Sequence, residues 1–146
     1  MMTPKVWICL SYLTLSAFLF GSAGTSGTAN RVLANPGEVK WESSANGSES
    51  STLREDPKSG ATELFAHYPA GYVFPPHWHA SNERIVLIEG RLSIEENDSQ
   101  HFIEPGGYAY LPARQVQIMT CASHTRCSFY VSWDGPLESH PATQTP

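Results

Sequence analysis

From Thr62 onward the chain breaks into short runs of alternating apolar and polar side chains, punctuated by Gly, Pro, Asn and Asp. The cleanest alternation sets Cys127, Phe129, Val131 and Trp133 against smaller or more polar neighbours before Asp134-Gly135-Pro136. Alternation with a period of two puts successive side chains on opposite faces of a strand. Read this way, strands are predicted at 62–68, 73–79, 84–88, 92–95, 101–103, 108–111, 116–121 and 127–133, with turns at Pro69-Ala70-Gly71, Glu89-Gly90, Asn97-Asp98, Pro105-Gly106-Gly107, Pro112 and Ala122-Ser123-His124. No stretch sustains a 3.6-residue period over two turns, so helix should be minor. Seven or eight short strands between turn signals predict an all-β sandwich or barrel.

The ends of the chain follow a different pattern. Residues 6–20 are almost wholly apolar, sit behind Lys5 and lead into Gly21, Ser22, Ala23 and Gly24. This is the layout of a secretory signal peptide, expected at 1–23 with cleavage as late as 29. The apolar run of about fifteen residues falls short of the roughly 20 that a spanning helix needs. The expectation is therefore a secreted or periplasmic protein with no stable membrane insertion after cleavage. Cys9 lies inside the run and receives no role. Residues 24–52 are rich in Gly, Ser, Asn and Ala, with Val39 and Trp41 as the strong anchors. They read as a flexible arm before a domain at 53–138, with a tail at 139–146.

Composition narrows the function. The 146 residues suffice for one core, and 40% apolar with 11% aromatic content argues for a packed globule. The net charge is −5 and no Lys/Arg run is present, which leaves no footprint for a nucleic-acid partner. Cys121 and Cys127 flank a predicted turn. Two buried thiols are the plainer reading, and export would make a disulfide between them chemically possible. With His124 they hint at zinc, but no fourth ligand is nearby. Asn46-Gly47-Ser48 and Asn97-Asp98-Ser99 are glycosylation sequons, relevant in a host that glycosylates.

The chemistry concentrates at Pro75-Pro76-His77-Trp78-His79. On a strand His77 and His79 share one face and Trp78 takes the other. Ala80-Ser81-Asn82 can turn the chain and bring Glu83 to the start of the next strand. Two imidazoles and a carboxylate make a facial set suited to a mid-row divalent metal. Pro75 and Pro76 each fix φ and stiffen the approach.

At this point the sequence resembles the cupins. Gly71, five residues, His77, one residue, His79, three residues, Glu83, six residues and Gly90 reproduce the first cupin motif. The likeness extends from about Trp41 to Trp133. It implies a single-domain cupin, a double-stranded β-helix or jelly-roll barrel, in which Gly71 and Gly90 sit at turns and His77, His79 and Glu83 bind metal. The Pro-Pro-His-Trp-His run and the Trp133-Asp134-Gly135-Pro136 ending resemble small bacterial cupins, some of them similar to the cupin half of zinc-binding anti-sigma factors. The second cupin motif is half present. Gly106 and Pro112 match it, whereas Arg114 replaces a Gly, Gln117 the fourth-ligand His, and Cys121 an Asn.

Gln117 can complete the site with its amide oxygen or hydrogen-bond a bound water or substrate. The resemblance thus implies one divalent transition metal (Mn, Fe, Ni, Zn or Cu), a small-molecule ligand or substrate, and a possible homodimer. An oxygenase- or isomerase-type enzyme is the favoured function, because a site with open positions leaves room for substrate. A non-catalytic metal- or small-ligand-binding or sensing module is the alternative. Tyr108, Tyr110, Phe129 and Trp133 are expected as core aromatics and Met119 as a cavity residue. Arg114 is expected as a solvated loop charge, and His67, His101 and His140 in surface or supporting roles.

Overall fold

The computed structural model describes residues 31–143. The expected signal peptide, Cys9 and the start of the expected arm lie outside these residues. The described residues form eleven strands and no helix, hence no helix long and apolar enough to cross a membrane. The strands are β1 (Glu42–Ser43), β2 (Glu49–Glu55), β3 (Thr62–Tyr68), β4 (Val73–His79), β5 (Glu83–Glu89), β6 (Leu92–Glu96), β7 (Ser99–Ile103), β8 (Tyr108–Leu111), β9 (Gln117–Cys121), β10 (Cys127–Trp133) and β11 (Ser139–Pro141).

Two antiparallel sheets result. One has the order β1-β2-β3-β10-β5-β8 and the other β11-β4-β9-β6-β7. From β3 to β6 each successive strand changes sheet, and the chain crosses again on entering β8, β9, β10 and β11. This traffic between two facing sheets is a jelly roll, the all-β cupin architecture expected from the sequence.

The alternation selects the core. Leu64 and Ala66 of β3, Ile85 and Leu87 of β5, and Phe129, Val131 and Trp133 of β10 face Leu92, Ile94 and Met119 of the other sheet, all buried. At Asn97 and Asp98 φ is 47° and 63°, so both central residues of the β6–β7 hairpin are left-handed, as a type I′ turn requires. Gly90 also has positive φ, 87°, and a Cβ there would stand 2.8 Å from the Arg126 carbonyl oxygen and 2.9 Å from Cys127 Sγ. Glycine is the side chain that fits.

Four expectations need correction. The arm expected at 24–52 contains β1 and the first four residues of β2, which pairs along β3 from Glu49↔His67. Its inward side chains are small and polar, as at buried Ser51, so no hydrophobic alternation marked it. Trp41 does anchor the arm, its ring stacked on His67 at 3.7 Å. The tail expected at 139–146 begins with β11, paired to β4 through Ser139↔His79 and Pro141↔His77. Tyr108 and Tyr110 point outward, 57% and 48% exposed, because Ala109 and Leu111 take the inward register against Ile85 and Glu83. Tyr110 instead lies beneath the Arg84 guanidinium, 5.4 Å from its ring centre. Finally, Cys121 and Cys127 are joined as a disulfide with Cα atoms 5.7 Å apart, rather than packing as separate thiols.

Candidate functional site

His77 and His79 project from β4 into the barrel, 3% and 7% exposed, with ring centres 5.0 Å apart. Trp78 turns the other way and stacks on His140 at 4.2 Å. Gln117 opens β9 directly opposite His77. Glu83 opens β5, and β5 belongs to the facing sheet. Glu83 thus starts the next strand as expected, and because that strand lies in the other sheet the carboxylate approaches the two imidazoles from across the barrel.

The four side chains meet. Gln117 Nε2 donates to Glu83 Oε2 at 2.6 Å and lies 3.3 Å from His77 Nε2. His79 Nε2 stands 3.6 Å from the same Glu83 oxygen. Each imidazole is oriented from behind: His77 Nδ1 donates to the Pro75 carbonyl and His79 Nδ1 to the Glu138 carbonyl, both at 2.7 Å. With the proton on Nδ1, each Nε2 presents a lone pair inward. The amide NH₂ of Gln117 therefore has two acceptors before it, one carboxylate oxygen and one imidazole nitrogen. As they stand, the side chains bond to one another, and among the described residues no three His, Cys, Asp or Glu form a ready-made metal cage.

Burial governs the protonation states. It pushes His77 down to about 4, against the upward pull of the Pro75 carbonyl, and it lowers His79 as well. Both rings are neutral near pH 7. Burial pushes Glu83 up to about 7, and the Gln117 hydrogen bond acts in the opposite direction.

The turn that delivers Glu83 is clamped. Asn82 donates to Asp134 at 2.9 Å and accepts from the Ala113 amide at 3.0 Å, and Asp134 pairs with both terminal nitrogens of Arg84. Arg114 holds a positive φ of 65° where the cupin pattern has glycine, and its amide donates to the His79 carbonyl at 2.8 Å. Its side chain is exposed, as expected of a loop charge.

A cavity of about 180 Å³ opens above the cluster. Met119 lines it, as anticipated, together with Phe129 and Trp133. So does Tyr68, a residue without a motif to single it out in the sequence. Its only signal was its place as the last inward residue of β3, after Thr62, Leu64 and Ala66.

Fold and site together place the chain in the cupin class. Residues 29–136 match the family described as ChrR cupin-like domain, and the chain belongs to that family. No curated protein matches it. Among solved structures, the polyketide cyclase RemF from Streptomyces resistomycificus superimposes with a TM-score of 0.65 at 15% identity, covering 80% of this chain and 88% of that one. An RmlC-like cupin from Shewanella frigidimarina gives 0.63 at 12% identity, over 75% and 94% of the two chains. A structure titled for the DMSP lyases RdDddP and RnDddQII gives 0.58 at 17% identity, over 71% and 62%. Similarity at this level of identity is a likeness of fold.

Proposed function

We propose that this protein is an exported cupin that uses His77, His79, Glu83 and Gln117 to hold one divalent transition metal and takes a small molecule in its barrel. The observation that carries this reading is the convergence of two neutral imidazoles, each locked by a backbone carbonyl with its Nε2 lone pair inward, on one buried carboxylate. A hydrogen bond from the far ring nitrogen to a backbone carbonyl is what orients histidine ligands in metal sites. The donor set of nitrogen and oxygen atoms suits Mn, Fe, Ni, Zn or Cu. Half a turn of the Gln117 amide would exchange its NH₂ for its oxygen, a weak ligand. A bound ion would supply Lewis acidity toward a substrate oxygen. The barrel wall excludes bulk water, and the carbonyls of Pro75 and Glu138 keep the imidazoles in a single tautomer.

An enzyme of oxygenase or isomerase type is the favoured form of this reading, supported by the cavity over the cluster and by enzymes among the structures of similar fold. A non-catalytic binding or sensing module is the second reading. It is favoured by the Gln117 amide, which already satisfies Glu83 and His77 without a ligand. The Cys121–Cys127 disulfide supports an oxidising compartment.

Metal analysis of protein purified from its native compartment tests the site, beside the His77→Ala/His79→Ala double variant with its fold checked by circular dichroism. About one ion per chain in the natural protein and none in the variant is the expected result. Stoichiometric metal retained by the variant would eliminate the site. Oxygen uptake and product formation with small aromatic, keto-acid and sugar compounds then separate enzyme from binder.

A further inference from the structure

Two hydrogen-bond donors in the barrel wall have no use in the metal site. Trp133 Nε1 is buried and lacks a hydrogen-bond partner, the one such side-chain atom among the described residues. A buried donor left unpaired costs about 1–3 kcal/mol unless something else pairs with it. The Trp133 ring lines the cavity, its centre 5.5 Å from that of His79. Tyr68 is the second. Its ring is wedged against Tyr72 at 4.5 Å, Phe129 at 4.9 Å and Phe74 at 6.4 Å, so it is held in place. Among the described residues no group hydrogen-bonds its hydroxyl. Burial raises the phenol well above its ordinary range, and the nearby Glu83 acts in the same direction. The hydroxyl is therefore protonated and available as a donor.

Beyond the His77, His79 and Glu83 cluster most of the wall is apolar, formed by Leu64, Ala66, Phe74, Met119, Phe129 and Val131, with Ser48, Glu49, Ser50 and Ser139 adding a polar stretch. The volume of about 180 Å³ is roughly the liquid volume of six waters. That is room for a compact ring inside the barrel.

We infer that the barrel selects compact, largely apolar carbonyl compounds, with Tyr68 Oη–H and Trp133 Nε1–H donating to the ligand's oxygen. An apolar body fills the wall, and the oxygen satisfies the donors that the protein leaves unpaired. The inference rests on the proposed function for the idea that the barrel takes a small molecule, and needs no metal. Tyr68 and Trp133 would then be the residues that determine ligand specificity.

The test uses cyclohexanone and methylenecyclohexane, in which CH₂ replaces the oxygen, titrated into the full mature chain with metal content measured on the same samples. The natural protein should bind the ketone more tightly than the alkene. Tyr68→Phe keeps the packed ring and removes the hydroxyl. It should weaken the ketone about two- to tenfold, the range of one net hydrogen bond, and leave the alkene unchanged. The ¹⁵N-indole resonance of Trp133 should move with the ketone and stay still with the alkene. Equal binding of the two probes, binding of neither, or a ketone-to-alkene ratio untouched by Tyr68→Phe overturns the inference. An unmoved Trp133 resonance removes that residue from it. A ketone preference in natural protein that takes up no metal even when metal is supplied would sink the metal reading and leave this one standing. Metal uptake with no ketone preference would do the reverse.

Discussion

Glu83 is a carboxyl that the fold prefers neutral, and this makes a sharp prediction for the metal-free protein. Only 2% of it is exposed, and burial lifts its pKa from 4.5 to about 7. A folded pKa above the unfolded one means that the native state binds the proton more tightly. The resulting stability is fully present below pH 4.5 and is lost as pH rises through about 7. At about 1.4 kcal/mol per pH unit, that gap is worth about 3 kcal/mol. Glu83→Gln keeps the shape, can still accept from Gln117 Nε2, and never ionises. In chelator-treated samples, urea unfolding should therefore find variant and natural protein about equally stable at pH 4. By pH 8 the variant should lead by about 3 kcal/mol. His77, lowered to about 4, has the opposite sign: its contribution is present above 6.5 and lost as pH falls through about 4. It is common to both proteins and cancels in the difference. A stability difference that stayed flat from pH 4 to pH 8, or a variant weaker than the natural protein at pH 8, would refute the claim that this carboxyl is held in a desolvated site.

Three further outcomes follow from the same structure. Gln117→His replaces a weak amide donor with the imidazole of the second cupin motif, so a metal-binding titration should show tighter binding than in the natural chain. Replacing both Cys121 and Cys127 with Ser opens a loop of sequence separation six, and chain entropy puts the loss at about 2 kcal/mol, readable as a lower denaturant midpoint that added reductant no longer shifts. Gly90→Ala forces a Cβ to 2.8 Å from a backbone oxygen at φ 87°, and thermal unfolding should show a loss of about 1–3 kcal/mol.

The readable parts of the sequence were those where burial writes a pattern. β10 is flanked by β3 and β5 and faces the core, so its inward positions are all apolar, and its bounds were visible. β2 and β11 lie near or at sheet edges, and their pairing is backbone work that their side chains do not advertise. The two tyrosines of β8 misled because an aromatic in a strand suggests burial, whereas both point to the outer face of their sheet, where Val86 and Ile88 of β5 are exposed too. At the site, the His77-x-His79 spacing and the step to Glu83 were legible because a strand's period fixes which side chains converge. Gln117 was legible through the motif register. The supports were not. His79 is oriented by a peptide carbonyl, Glu138 O, and any residue type carries one. The Asn82–Asp134–Arg84 clamp joins residues 50 or more apart, a proximity that only the folded topology creates. The Cys121–Cys127 pairing likewise depended on how closely β9 and β10 approach at their shared turn.

The short β11 has a practical bearing on how the gene is trimmed for expression. Ending the protein after Asp134 spares every strand of the larger sheet and would pass an ordinary check for foldedness. It would also delete Glu138, leaving one imidazole free to swivel and to swap which nitrogen carries its hydrogen. A shortened product with poor occupancy would then report on the missing C-terminal residues rather than on the four side chains inside.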